Sequence, residues 1–209
     1  MGLVWAGRAS AEEAAPRRRP FEIGLSSGYS VVGFGHRLQA ADFESLWAIP
    51  LLVDVGYRIS KNWSIGAYGE VGFIDNSPSD VEDVDESIKG HHYRLGAEAL
   101  YHSSPERRVQ PWFGVGLGYD ALRTTYRVRS TFPPVASARP DPGSSSPIRA
   151  NGLEIGHAQL GIDFALVPGF AFGPFLGGSV VSYGNRRGIQ SSDGFNVWSN
   201  IGLKATLRL

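Results

Sequence analysis

The sequence predicts an all-β fold, an eight-stranded antiparallel up-and-down transmembrane β-barrel. Three observations predict it. Eight segments alternate apolar with other residues at period 2. The connections between them run short, long, short, long. Ionisable residues share one strand face with the glycines, while aliphatic and aromatic residues hold the other.

Residues 1–20 stand apart from this pattern and the barrel is expected over 21–209. The apolar piece 2–7, followed by AGRASA, resembles a small-residue cleavage site, but it is shorter than a signal core and lacks a basic start. Two readings stay open: a signal-peptide remnant whose start lies upstream, and a disordered lead-in.

The segments are 21–33, 46–59, 63–74, 91–102, 111–124, 152–166, 170–183 and 194–209. In the second, Ile49, Leu51, Val53, Val55, Tyr57 and Ile59 alternate with Pro50, Leu52, Asp54, Gly56 and Arg58. In the third, Trp63, Ile65, Val71 and Phe73 oppose Gly66, Tyr68, Glu70 and Gly72. In the fourth, Tyr93, Leu95 and Tyr101 oppose His92, Arg94, Gly96 and Glu98. In the fifth, Phe113, Val115, Leu117 and Tyr119 oppose three glycines and Asp120. In the sixth, Leu160, Ile162 and Phe164 oppose His157, Gln159, Gly161 and Asp163. The last sets Phe195, Val197, Ile201, Leu203 and Leu207 against Asn200, Gly202, Lys204 and Arg208. The seventh is apolar on both faces, and alternation does not phase it. A helical reading fails, because glycine recurs in every segment and costs about 1 kcal/mol inside a helix.

The connections 60–62, 103–110 and 167–169 are short; 35–45, 75–90, 125–151 and 184–193 are longer and polar. That order belongs to hairpins with short periplasmic turns and long external loops.

The faces decide direction. Asp54, Arg58, Glu70, Arg94, Glu98, Asp120, Asp163, Lys204 and Arg208, with Glu22, lie on the glycine face. The opposite face carries no charge until the strand tips at Arg123 and Glu154. An eight-stranded barrel is just wide enough to be filled by side chains, so large aliphatics cannot all point inward. Glycines and mutually pairing charges can, and pairing offsets the cost of burying each charge. Facing lipid, a base at the midplane costs about 2–4 kcal/mol. Tyr57, Trp63, Tyr101, Phe113 and Phe164 form a ring towards the short turns. Phe73, Tyr93, Tyr119 and Phe195 form one towards the long loops, as interfacial girdles do. A soluble lipocalin-like barrel would need the faces exchanged.

Composition narrows the function classes. Lys+Arg and Asp+Glu both total 20, which removes the basic surplus that nucleic-acid binding uses. Zero Cys removes disulfides, thiolate metal sites and Cys nucleophiles. The longest apolar run, 46–53, stops at Asp54, too short for a transmembrane helix.

No residue set reads as catalytic, cofactor-binding or metal-binding. The acids Asp75, Asp80, Glu82, Asp83, Asp85 and Glu86 lack calcium-loop spacing and read as a solvated loop. His91 and His92 are adjacent at the loop end of a strand, so they point to opposite faces and chelate poorly. Lipid-modifying chemistry needs a nucleophile beside a base at the bilayer, and outward Ser199 has neither His nor carboxylate as a sequence neighbour. The lumenal charges admit two readings: a static salt-bridged core that holds the barrel shut, and a gate along a narrow path for small ions or solutes. The first is the expectation.

Eight such strands, three short turns, four loops and the amphipathic last strand Ile201, Leu203, Ala205, Leu207, Leu209 resemble the small outer-membrane β-barrel proteins, of the OmpA transmembrane domain and porin-like type. The resemblance covers about residues 21–209 and is architectural. It implies a monomer in the bacterial outer membrane, in contact with lipid and lipopolysaccharide, inserted by a barrel-assembly machinery that reads the last strand. Family members usually end in an aromatic residue; Leu209 departs from that pattern.

Overall fold

A computed structural model of the chain describes residues 20–34, 45–76, 84–130, 145–187 and 195–209. The lead-in 1–19, Asp80, Glu82, Asp83 and the central parts of the long connections lie outside the described residues. Eight strands close into one antiparallel barrel in chain order: β1 (Phe21–Phe34), β2 (Ser45–Arg58), β3 (Trp63–Asn76), β4 (Val84–His102), β5 (Val109–Ser130), β6 (Ser145–Val167), β7 (Phe170–Arg187) and β8 (Phe195–Arg208). The closing pair β1–β8 runs in register from Glu22 opposite Arg208 to Phe34 opposite Asn196. Closure matters because lipid cannot satisfy the open N–H and C=O groups of a sheet edge. The tightest turn joins β6 to β7 through Pro168 and Gly169. Gly169 has φ 94°, a left-handed conformation that glycine enters without steric cost.

Four strands are longer than alternation indicates. β4 begins at Val84 rather than 91, β5 continues to Ser130, β6 starts at Ser145 and β7 reaches Arg187. Parts of the stretches expected as loops are therefore paired ladder, with Val84 opposite Ser130 and Arg127 opposite Ser145. His91 and His92 consequently sit inside β4 rather than at its end. The physical reason is solvent: in these extensions Lys89, Arg127 and Arg149 on the outward face are exposed, so nothing selects apolar residues there, although Ile88 and Ala150 still point into the interior.

A second departure lies in β6. Period 2 extended back from Ala158 places Glu154 outward. The β5–β6 register instead steps from Gly116 opposite His157 to Gly118 opposite Glu154. Two residues of β6, Ile155 and Gly156, thus oppose Leu117 alone. A bulge of this kind inserts one residue and reverses the phase beyond it. Glu154 is buried inside the barrel and Ile155 faces out. The structure also phases β7: Ala171, Phe175, Ser179, Val181 and Tyr183 point inward, and Phe172, Pro174 and Leu176 outward.

The interior is not only glycine and charge. Tyr68, Trp112, Phe175, Tyr183, Trp198, Leu52, Leu100 and Leu122 are all buried in it. Glycine makes the room. Large lumenal side chains lie over glycines directly across the ladder: Tyr68 opposite Gly96, Trp112 opposite Gly161, Phe175 opposite Gly202. A Cβ on Gly96 would come within 2.4 Å of the Tyr68 hydroxyl and of the Leu117 carbonyl oxygen. Gly96→Val should therefore destabilise the barrel by about 1–3 kcal/mol, the usual penalty for overpacking. Urea unfolding of the refolded protein measures it.

Candidate functional site: the filled lumen and its lipid-facing belt

The lumen is layered along the barrel axis. Nearest the short turns, Glu22 accepts from Arg58 Nη2 at 3.0 Å and from the Ser64 hydroxyl, with His102 Nε2 at 3.6 Å. Arg208 lies between Glu22 at 3.9 Å and Asp163 at 3.8 Å. The indole of Trp112 donates to Asp163 at 2.9 Å. One layer up, Lys204 pairs with Asp54 at 2.9 Å, and its ammonium sits 4.8 Å from the centre of the Trp112 ring. Glu98 accepts from Gln159 at 3.5 Å.

The middle layer centres on Arg94. Its guanidinium lies 3.5 Å from Glu70, 3.6 Å from Asp120 and 3.3 Å from Glu154. Nε aligns with neither Asp120 nor Glu154 as a directed hydrogen bond, so these contacts are ion pairs first. His92 bridges Asp120 at 2.5 Å and Glu70 at 3.5 Å, and its ring stacks on Trp198 at 4.1 Å. His157 contacts Glu154 at 3.2 Å and stacks on Tyr68, whose hydroxyl donates to Glu154. Tyr183 donates to Asp120 at 2.7 Å. Above this, towards the long connections, Val32, Leu46, Ala48, Ile74, Ile88, Leu122, Ala150 and Val181 form an apolar cluster with Tyr183 and Trp198.

All nine lumenal residues expected from the sequence point inward. Arg58 and Arg208, at the short-turn mouth, are less buried than the rest. The structure adds Glu154, Tyr68, His92, His102, His157, Tyr183 and both tryptophans to the network. Alternation already sets Tyr68, His92 and His157 on the same face as Glu70, Arg94 and Gln159; what the structure adds for these three is their contacts. Glu154 could not be found by alternation, because the bulge reverses its phase. Seven buried carboxylates (Glu22, Asp54, Glu70, Glu98, Asp120, Glu154, Asp163) face four bases (Arg58, Arg94, Lys204, Arg208) and three histidines (His92, His102, His157).

The outer surface is the complement. Leu95 and Leu117 are 67% and 65% exposed at mid-height, within a belt of Val, Ile and Leu. Below it Trp63 packs edge-on against Tyr101 and Phe113, at 5.1 and 6.1 Å, and Phe21 against Tyr57 at 5.3 Å. Phe164 is exposed at the same end of β6. Above it stand Phe73, Tyr93, Tyr119 and Phe195, all exposed. Trp63 and Phe73 lie ten residues apart on β3, about 25 Å along the axis for a strand tilted by roughly 40°. That spacing matches the apolar band of a membrane barrel. Monomeric soluble proteins rarely leave so continuous an aliphatic surface in water. Among the described residues no three His, Asp or Glu are placed to hold a metal ion.

No protein-family model matches the chain, and no curated protein matches its sequence. Among solved structures, Neisserial surface protein A (NspA) superposes with a TM-score of 0.56 at 15% identity, over 90% of this chain and 97% of that one. The chain has the fold of the small outer-membrane β-barrels. Ail, the attachment invasion locus protein of Yersinia pestis, is also similar, with a TM-score of 0.49 at 15% identity over 92% of this chain and 99% of that one. With inside and outside exchanged relative to a soluble barrel, this barrel presents an apolar belt suited to lipid on every side.

Proposed function

We propose that the protein is a monomeric outer-membrane scaffold with a closed lumen, which displays its long connections at the cell surface and rests against lipopolysaccharide. The observation that carries this reading is the filled interior. Tyr68, His92, Asp120, Glu154, Val181 and Trp198 are each at most 1% exposed, and an apolar cluster caps the charged layers. Ions crossing such an interior would have to displace paired charges and then apolar side chains. Insertion by the barrel-assembly machinery through β8 belongs to the same reading.

Planar-bilayer recording tests it. The refolded protein should give no steady openings, and Glu98→Ala, which removes one lumenal carboxylate, should raise the leak. Steady wild-type openings would favour a narrow pore for small ions or solutes. A lipid-modifying activity is checked by mass spectrometry of lipid A from expressing cells, where unchanged acylation is expected.

A further inference from the structure

We infer that the outward face of β4–β6 carries a binding site for the phosphate groups of an outer-leaflet glycolipid, built on Arg123, Arg149 and Arg127. The inference rests on the outer-membrane reading above and assigns its lipid contact to particular residues. In the ladder, Phe73, His91, Arg123 and Arg149 occupy one row across β3 to β6, and the β7 backbone continues it at Arg187. Arg123 lies ten residues above Phe113 of the lower girdle, about 25 Å along the axis. The row therefore stands at the upper edge of the apolar belt, at the level of lipid headgroups. Tyr93 and Tyr119 lie just beneath it, and Arg127 follows on the same face of β5.

Arg123, Arg127 and Arg149 are exposed. No described carboxylate forms an ion pair with any of them, while nearby Lys89 is engaged by Asp75 at 3.0 Å. Arg123 and Arg149 are direct cross-strand partners, and like charges so placed repel. An anion between them removes that penalty. Arginine forks match phosphate bidentately, and the anions held at this depth of a membrane are headgroup phosphates. A cleft of about 400 Å³ lined by His91, Arg123, Thr125, Arg127 and Arg149 gives such a group its place. The acyl chains then run down past Tyr119 and Leu117.

The test is native mass spectrometry of the detergent-folded barrel with phosphorylated lipid A, with enzymatically dephosphorylated lipid A and with inorganic phosphate. Wild type should retain the phosphorylated lipid. Arg123→Gln/Arg149→Gln should retain it roughly tenfold or more weakly, the size of losing one or two charge-assisted contacts. Arg107→Gln/Arg108→Gln, at the opposite mouth, should bind as wild type does. Heat-dependent gel mobility shows that each variant is folded, and the single substitutions serve if the double one is not. Equal retention by wild type and the Arg123/Arg149 variant, or equal retention of the dephosphorylated lipid, overturns the site. Displacement of the lipid by millimolar inorganic phosphate overturns the glycolipid assignment. Failure to fractionate with outer membranes would instead sink the functional reading beneath it.

Discussion

Arg94→Ala should cost the barrel about 3–5 kcal/mol, the loss seen when one partner of a buried ion pair is removed and the other left uncompensated. Here three carboxylates are left, not one. Glu70, Asp120 and Glu154 all lie within 3.6 Å of the guanidinium, and each is almost wholly buried. The two histidines of the same layer each already contact one or two of these acids, so they have little further charge to offer. Arg94→Lys keeps the charge but not the reach to three partners, and should fall between wild type and alanine. Urea unfolding in lipid vesicles gives the numbers, and Trp198 reports the site because it stacks on His92 and lies 6.0 Å from Arg94. A loss below about 1 kcal/mol for the alanine variant would mean that water enters the layer and screens the acids, as it does at exposed ion pairs. The lumen would then be wet at its middle.

What was legible in the sequence followed the bilayer. Between the two aromatic rings each strand has one face in lipid and one in a narrow interior, so alternation is enforced and eight segments with their faces emerge. Asp54, Glu70, Arg94, Glu98, Asp120, Asp163 and Lys204 all lie on the inward face. Where the enforcement stops, legibility stops. Val84–Gly90 and Thr124–Ser130 pair with each other. Although Ile88 and Thr124 are buried there, Lys89 and Arg127 on the outward face are polar and exposed, so no apolar alternation marks the pairing. Glu154 was misplaced because one extra residue in β6 shifts the phase, and period counting cannot see a bulge. β7 was unphased because its inward residues, Ala171, Phe175 and Val181, are as apolar as its outward ones. The large rings in the interior are a matter of register: Tyr68, Trp112 and Phe175 are each accommodated by the glycine across the ladder. The pairing of specific acids with specific bases depends on register and barrel closure, which no single-strand pattern carries.

Leu117→Arg should destabilise the barrel by about 2–4 kcal/mol, while Thr125→Arg on the same strand should cost no more than about 1 kcal/mol. Leu117 is 65% exposed and lies on β5 between Phe113 below and Arg123 above, at the centre of the belt. In a water-soluble barrel, an exposed Leu replaced by Arg would change stability by about 0.5 kcal/mol or less. The two environments thus predict effects that differ severalfold at one position, and the comparison needs no assumption about the lumen. The native Arg123 fixes the scale, since it places a charge on the same face six residues higher, where headgroups begin. Arg123→Leu should accordingly leave stability nearly unchanged in phosphocholine vesicles, which offer no glycolipid phosphate. Reversible unfolding in those vesicles measures all three variants together. If Leu117→Arg and Thr125→Arg cost the same, depth plays no part and the surface belt does not face lipid. If the cost falls steadily from Leu117 towards Thr125, the profile locates the upper membrane boundary at the row of Arg123 and Arg149.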